Sequence, residues 1–318
     1  MSRPELDSTD APVAGKAAGK AAGKAAGTAA GKTPPSGRAR GPRRPRTAVF
    51  WLALPLVAAA ALVFVLPLTG LLPDSGQDLS KTRLPPALLD GGTWEHPLGT
   101  DKRGQDILTE LVTSGRLTIM IGLAGALAAI VPGVLIGLLA GYFRGWADRV
   151  ISVVIDAQLA LPFILIALAI ISNRGSSLPV LFVVLALTGW ATCARVTRAS
   201  TLAIRARQFV LGLRAVGASE ARIVFRHVLP NLAGTIVALG TLQVGTAILV
   251  ESALSFLGLG VVPPMSSWGS MLASGQDELG HAWWIAFFPG LAITVLVLLV
   301  NLLGDALLTH HDPRKRRR

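Results

Sequence analysis

Six runs of mainly apolar residues follow one another along the chain, separated by short polar segments. Each run is long enough to cross a hydrocarbon core of about 30 Å as an α-helix that rises about 1.5 Å per residue. Lipid offers no partners to backbone N–H and C=O groups, and the runs lack the alternation of a membrane barrel, so helices are predicted. The predicted spans are 48–71, 117–142, 150–172, 178–196, 234–260 and 283–306.

The composition agrees with an all-α integral membrane protein. Of 318 residues, 52% are hydrophobic and only 15% are charged, which is too apolar for an average soluble domain. Pro132, Pro162 and Pro289 lie inside predicted spans, where we expect a local kink rather than a break. Cys193 is the only cysteine, so folding does not depend on an intramolecular disulfide.

The distribution of basic residues predicts the orientation of the chain. The net charge is +12, but in a membrane protein this excess reports the cytoplasmic side rather than nucleic-acid binding. With the N-terminus in the cytoplasm, 24 of the 30 Lys and Arg residues lie in cytoplasmic segments. We therefore expect a multi-pass protein of the cell membrane, embedded in the lipid bilayer, with both termini cytoplasmic.

The same patterns divide the chain into segments. Residues 1–46 form a basic tail rich in Ala, Gly, Lys and Pro, which is expected to be disordered. A first transmembrane helix at 47–72 and an extracytoplasmic loop at 73–116 follow. The remaining segments are a helical core at 117–308, which contains a cytoplasmic loop at 197–233, and a basic cytoplasmic tail at 309–318.

The first half of the 197–233 loop has the pattern of an amphipathic helix. Apolar residues recur at steps of four and three, which places them on one helical face. This stripe consists of Leu202, Ala206, Phe209, Leu213 and Val216. Gly217 then interrupts the pattern.

A second short helix is predicted from Ser219, a candidate N-cap, to Pro230, which is expected to end it. Its apolar face is Ala221, Val224, Phe225 and Val228, and its polar face carries Ser219, Arg222 and Arg226. Two helices hinged at a glycine favour a shaped docking element, although a basic loop or a membrane-surface helix has similar features.

The sequence RAVGASEARIVFRHVLPN at 214–231 resembles the cytoplasmic loop of the integral membrane subunits of ABC importers. Three further segments resemble the dipeptide, oligopeptide and nickel branch of that family: HPLGTDKRGQDIL at 96–108, GLLAGYFRGWADRVI at 137–151 and ESALSFLGLGVVPPMSSWGSML at 251–272. The resemblance covers residues 96–313, about two-thirds of the chain. It implies a type I importer permease, with a core formed by the second to sixth helices and one additional N-terminal helix.

The resemblance also implies partners and site residues. A permease of this kind works with a second permease subunit, two ATPase subunits that bind ATP and Mg²⁺, and an extracytoplasmic solute-binding protein that docks on outer loops, including 263–282. The loop residues expected to contact the ATPase are Arg214, Ala215, Gly217, Ala218, Ser219, Arg222, Arg226, His227, Leu229, Pro230 and Asn231. Leu211, Gly212 and Leu213 stand where the family usually has Glu-Ala-Ala, so this contact is expected to differ from that of relatives.

Two carboxylates lie inside predicted spans, Asp156 in the third and Glu251 in the fifth. An ionisable group in the membrane normally faces the bundle interior or water. Each is either a pathway or gating residue or the partner in a structural hydrogen bond. A secondary transporter or channel, which would need its own ion site, is the alternative from another functional class.

Within this chain no catalytic, cofactor or metal site is predicted. The tail sequence GTAAGKT has three residues between its glycines, where a phosphate-binding loop has four, and no apolar strand precedes it. ATP hydrolysis is therefore expected on a separate chain. Oligopeptides or dipeptides are the first expectation for the solute, and nickel or another small solute is the second.

Overall fold

The computed structural model describes residues 54–56, 58, 63–66, 69 and 76–311, of which 308–311 are described by their backbone alone. Most of the predicted first helix, the 1–46 tail and residues 312–318 lie outside this part of the chain. The helices within it are α1 (Ile107–Phe143), α2 (Trp146–Ala160), α3 (Phe163–Arg174), α4 (Leu178–Arg205), α5 (Gln208–Ala215), α6 (Glu220–Ile223), α7 (Leu229–Asn231), α8 (Ala233–Phe256), α9 (Trp268–Gln276) and α10 (Trp284–His311). A π-helical turn, Val224–Val228, joins α6 to α7.

Four helices in the described part of the chain are long and apolar enough to cross a membrane: α1, α4, α8 and α10. They correspond to four of the predicted spans. The pair α2 and α3 passes the same criteria together but is bent by 85°, and it adds a fifth span if it is counted as one. The described residues therefore contain four or five spans, and the first of the six predicted spans, 48–71, lies mostly outside them.

The predicted kink at Pro162 is wrong, because the helix breaks there. α2 ends at Ala160, and Leu161 adopts an extended conformation with φ −84° and ψ 132°. A residue that precedes proline favours this conformation, since the proline ring clashes with the helical one. Pro162 then acts as the N-cap residue of α3.

Two helices extend beyond their predicted spans. α1 begins at Ile107 rather than near residue 117, and the side chain of Asp106 caps it by accepting a 2.8 Å hydrogen bond from the backbone N–H of Thr109. The second helix is α4, whose C-terminal end continues past residue 196 to Arg205. The beginning of the 197–233 loop is therefore the end of a membrane helix.

α1 and α4 pack closely because glycines of α1 lie against the backbone of α4 along their contact. A Cβ atom at Gly133 would lie 2.6 Å from the Cβ of Cys193, and one at Gly137 would lie 2.4 Å from the carbonyl oxygen of Ala194. Small residues allow helix backbones to approach in lipid, where the association depends on packing rather than on the hydrophobic effect. This contact positions both the membrane core and the base of the loop.

A second cluster of buried side chains joins α8, α9 and α10 to α1. It includes Ile248, Trp268 and Met271, with Val297 and Val300 from α10. The indole N–H of Trp268 donates a 2.7 Å hydrogen bond to the carbonyl of Leu111, and the backbone N–H of Trp268 donates to the hydroxyl of Thr118 at 3.0 Å. These bonds fix the short helix α9 against the side of α1.

The segment that precedes α1 is tied to the loop between α9 and α10. The guanidinium of Arg83 forms two hydrogen bonds to the carboxylate of Glu278, with N–O distances of 2.7 and 2.9 Å. This bonding lowers the pKa of Glu278 from its ordinary value. The indole N–H of Trp284, at the start of α10, also donates to the carbonyl of Thr100 at 3.3 Å.

We predict that Gly137→Ala destabilises the protein by about 1–3 kcal/mol, because the new methyl group would separate α1 from α4. Gly240→Ala is the matched control in α8, since the nearest described atom to a Cβ built there is Ile130 Cδ1 at 3.9 Å. Thermal unfolding in detergent measures both variants. Equal melting temperatures for Gly137→Ala and Gly240→Ala would contradict the tight α1–α4 contact.

Candidate functional site

The candidate functional site is the second part of the 197–233 loop, where two helical pieces meet at Gly217. The first is α5. The second, which we call the second loop helix, runs continuously over 220–231 through α6, the π-helical turn and α7. Each piece is short, so its position depends on the turn between them and on packing against α1 and α4.

The turn at Gly217 is a Schellman motif. The N–H of Gly217 donates to the carbonyl of Arg214, and the N–H of Ala218 donates to the carbonyl of Leu213, each at 3.0 Å. Gly217 has φ +79°, a conformation that costs an L-residue about 1–2 kcal/mol. No described heavy atom lies within 4 Å of a Cβ built there, so backbone conformation rather than space requires glycine.

The second loop helix begins at the predicted N-cap residue but ends differently from the sequence prediction. Ser219 occupies the N-cap position, but its side chain makes no capping hydrogen bond within the described part of the chain. Pro230 does not end the helix, because the backbone widens into the π-helical turn before it and remains helical through Asn231. A wider turn relieves the clash between a proline ring and the preceding carbonyls.

The buried face of the loop also differs from the predicted stripes. Val210 and Ile223 are fully buried against Leu138 and Ile204, at the ends of α1 and α4. Val224 and Val228 are buried as predicted, whereas Phe225, Phe209 and Val216 are exposed. The break at Ala206 and Arg207, between α4 and α5, changes the helical register, so the face calculated for one continuous helix is wrong.

An exposed surface of mixed apolar and basic character results. Val216 is 80% exposed, Phe225 59% and Leu211 55%, and the residues Arg222 and Arg226 are exposed as well. We call these five residues the loop surface. The remaining candidates surround it: Ala215, Ser219 and Pro230 are exposed, and Arg214, Ala218, His227 and Leu229 are partly exposed. Asn231 is exposed, and its side-chain amide donates to the carbonyl of His227.

Sequence reasoning missed the most directional contact of the loop. The hydroxyl of Tyr142, at the end of α1, donates a hydrogen bond to Oε2 of Glu220. Arg214 Nη2 lies 3.3 Å from the same oxygen. The available signal was that Glu220 is the single acidic residue in 197–233 and Tyr142 is the single tyrosine of the chain.

Asp156 lies on the outside of the described helices rather than inside them. Its Oδ1 atom is 2.5 Å from Nη2 of Arg195 on α4, and 70% of its side chain is exposed. One turn along α4, Arg198 pairs with Asp148 of α2, with an Nη2–Oδ2 distance of 2.9 Å. The basic partner of Asp156 is thus supplied by a neighbouring helix.

Glu251 is fully buried and bonded to serine hydroxyls. Ser255 and Ser267 each donate to Oε1 at 2.7 Å, and Ser252 lies 3.5 Å from Oε2. Ser267 is the N-cap residue of α9 and forms a capping box with Ser270. The geometry agrees with the structural alternative stated for Glu251, because its oxygens join α8 to α9.

The comparisons with known proteins identify the chain. The family described as the binding-protein-dependent transport system inner membrane component matches residues 133–317. The chain belongs to this family. Its members are non-catalytic permease subunits of ABC importers, so the permease is not an enzyme, and it is a multi-pass protein of the inner membrane.

Individual relatives cover most of the permease. It is 40% identical over 230 residues to the di/tripeptide transport system permease protein DppC of Pseudomonas aeruginosa, a match of 72% of this chain and 76% of that one. It is 37% identical over 283 residues to a putative peptide transport system permease protein of Brucella suis, covering 89% and 93% of the two chains. A glutathione transport system permease protein, GsiD of Pectobacterium atrosepticum, is 37% identical over 227 residues, which are 71% of this chain and 75% of that one.

A solved structure supports the fold. A chain of the MetNI methionine ABC transporter in an inward-facing conformation superposes with a TM-score of 0.54 at 19% identity. The match covers 64% of the permease and 95% of that chain. The described helices therefore have the fold of an importer permease.

We predict that Glu251→Ala destabilises the permease by about 3 kcal/mol, because the hydroxyls of Ser255 and Ser267 would lose their shared acceptor in a buried site. Glu251→Gln retains an acceptor oxygen and is expected to fold and transport normally. Melting temperature and solute uptake distinguish a structural role of Glu251 from a role in the transport pathway. A Glu251→Gln variant that is stable but inactive in transport would show that the negative charge itself is needed.

Proposed function

We propose that the permease is one membrane subunit of an ATP-driven importer of short peptides, and that the 197–233 loop couples it to separate ATPase subunits. The other partners are a second permease subunit and an external solute-binding protein, which docks on outer loops that include 263–282. ATP and Mg²⁺ bind to the ATPases. The N- and C-termini both lie in the cytoplasm, the side that the basic residues favour.

The observation that carries the coupling role is the loop surface on a rigid base. Leu211, Val216 and Phe225 are exposed although they are large and apolar, while Val210 and Ile223 hold the same loop against α1 and α4. An exposed apolar patch rimmed by basic residues is typical of a protein–protein interface. Because the base of the loop includes the ends of two long helices, movement of a bound ATPase is transmitted to them.

Charge and composition indicate the chemistry of the ATPase contact. Arg222 and Arg226 lie one helical turn apart on the second loop helix and are both exposed. Acidic groups on the ATPase are expected to face them. Where relatives usually have Glu-Ala-Ala, Leu211 and Gly212 are exposed, so the matching part of the ATPase is expected to be apolar.

Short peptides are the proposed solutes because the relatives described above are named as di/tripeptide, peptide and glutathione permeases. Glutathione is itself a small peptide. Nickel complexes remain the second solute class of this branch.

We expect the permease, reconstituted with its second permease subunit and ATPases, to hydrolyse ATP faster when the binding protein carries a peptide. An ATPase variant that cannot hydrolyse ATP is the control for peptide uptake into the vesicles. Uptake by the permease alone, driven by an ion gradient, would contradict the proposed function. Stimulation by a nickel complex but not by peptides would overturn the solute class alone.

Charge reversal of Arg222 and Arg226 to Glu together is expected to weaken co-purification of the ATPases at least about tenfold, because like charges then meet at the interface. Gly217→Pro should act in the same way, since proline fixes φ near −65° while Gly217 has φ +79°. Pull-down from solubilised membranes measures the effect.

The matched control reverses Arg144, which lies between α1 and α2, and Arg149, which lies in the first turn of α2; both are exposed and outside the loop. All variants are expected to insert in the membrane at normal levels. Unchanged co-purification with Arg222 and Arg226 reversed would refute the docking assignment.

A further inference from the structure

Tyr142 connects three elements at the base of the loop. It lies in the last turn of α1, and its residue is 1% exposed. The guanidinium carbon of Arg205, at the end of α4, is 5.8 Å from the centroid of its ring, and that of Arg214, at the end of α5, is 5.3 Å from it. Both distances are within the range of a cation–π interaction.

The hydroxyl of the same residue connects a fourth element. It donates to Glu220, the first residue of the second loop helix, and Arg214 contacts the same carboxylate oxygen. This hydrogen bond is the first cause of a lowered pKa for Glu220, and the positive charges of Arg214 and Arg205 add to it. The carboxylate is therefore ionised at neutral pH, which also suits the N-terminus of a helix.

The contacts of Tyr142 with Arg214 and with Glu220 lie on either side of the turn at Gly217. Arg214 comes three residues before this glycine and Glu220 three residues after it, and both converge on Tyr142. The other contacts that anchor the loop, those of Val210, Ile223 and Val228, are apolar. Apolar contacts are not directional, so they hold the loop close to α1 and α4 without fixing its angle.

Arg205 and Arg214 are both partly buried beside Tyr142. The Nε atoms of Arg205 and Arg214 are buried and have no hydrogen-bond partner within the described residues. The ring of Tyr142 is a contact that both guanidinium groups share. Phe143, the neighbouring residue, packs edge-on against Tyr142 with a centroid distance of 5.3 Å but is itself 58% exposed.

We propose that Tyr142 is a positioning residue for coupling. Its hydroxyl fixes the angle of the second loop helix relative to α1, so that movement of the ATPases is transmitted to α1. This inference rests on the proposed function of the loop. Without the hydroxyl, the apolar anchors keep the loop surface in place and the ATPases still bind. Movement of the ATPases then rotates the loop about Gly217 and does not reach α1.

The experiment uses the complete importer in proteoliposomes and measures peptide transported per ATP hydrolysed. Tyr142→Phe retains the ring and its cation–π contacts and removes only the hydroxyl group. We expect normal co-purification of the ATPases and a ratio that falls roughly tenfold, the factor that corresponds to one hydrogen bond to a charged group. Phe143→Leu, which changes the packing beside the ring, is the matched control and should leave the ratio unchanged.

Glu220→Ala removes the acceptor at an exposed position, so it tests the same bond without risk to the core. Because it also removes the contact with Arg214, it is expected to lower the ratio at least as far as Tyr142→Phe does. The double variant should lower it no further than Glu220→Ala alone, since the bond between Tyr142 and Glu220 is already absent there. Additive losses in the double variant would overturn the proposal. So would a Tyr142→Phe importer with a normal ratio, or one that no longer retains its ATPases, since the residue would then serve docking rather than coupling.

Failure of the proposed function has a different signature. In that case the unmodified importer would neither retain the ATPases nor show peptide-stimulated hydrolysis. The outcomes that overturn the proposal for Tyr142 all require an unmodified importer that retains its ATPases and couples ATP hydrolysis to transport.

Discussion

The close approach of α1 and α4 is the contact on which the remaining structure depends. Glycines at 133, 137 and 141 place the backbone of α1 against α4 at distances that no side chain would allow. Lipid provides no hydrophobic force between helices, so this fit, rather than burial from water, holds the pair together. Because both helices continue to the base of the 197–233 loop, the same fit determines where the loop is anchored.

The loop therefore combines two kinds of attachment. Val210, Ile223 and Val228 bind it to the ends of α1 and α4 through apolar packing, which has no preferred direction of its own. Tyr142, Arg214 and Glu220 add polar contacts with defined directions around the turn at Gly217. Packing thus determines the location of the loop surface, and the polar cluster determines its orientation.

Hydropathy alone predicts the helices of the core well, because a long apolar run in lipid has few alternatives to a helix. It does not predict the break at Leu161 and Pro162, since the run there is continuous and proline is compatible with either a kink or a break. The buried face of the loop was misassigned because α4 extends to Arg205 and the register changes after it. The contact between Tyr142 and Glu220 joins residues far apart in sequence, and periodicity carries no information about such pairs.

The hydrogen bonds between Glu251 and its serine partners have a consequence for biosynthesis. A buried carboxylate is costly in a membrane until its oxygens are bonded. Ser252 and Ser255 lie within the next turn of the same helix, and Ser267 follows only 16 residues after Glu251. All three are synthesised before α10, so the nascent chain carries these serine partners of Glu251 before α10 leaves the ribosome.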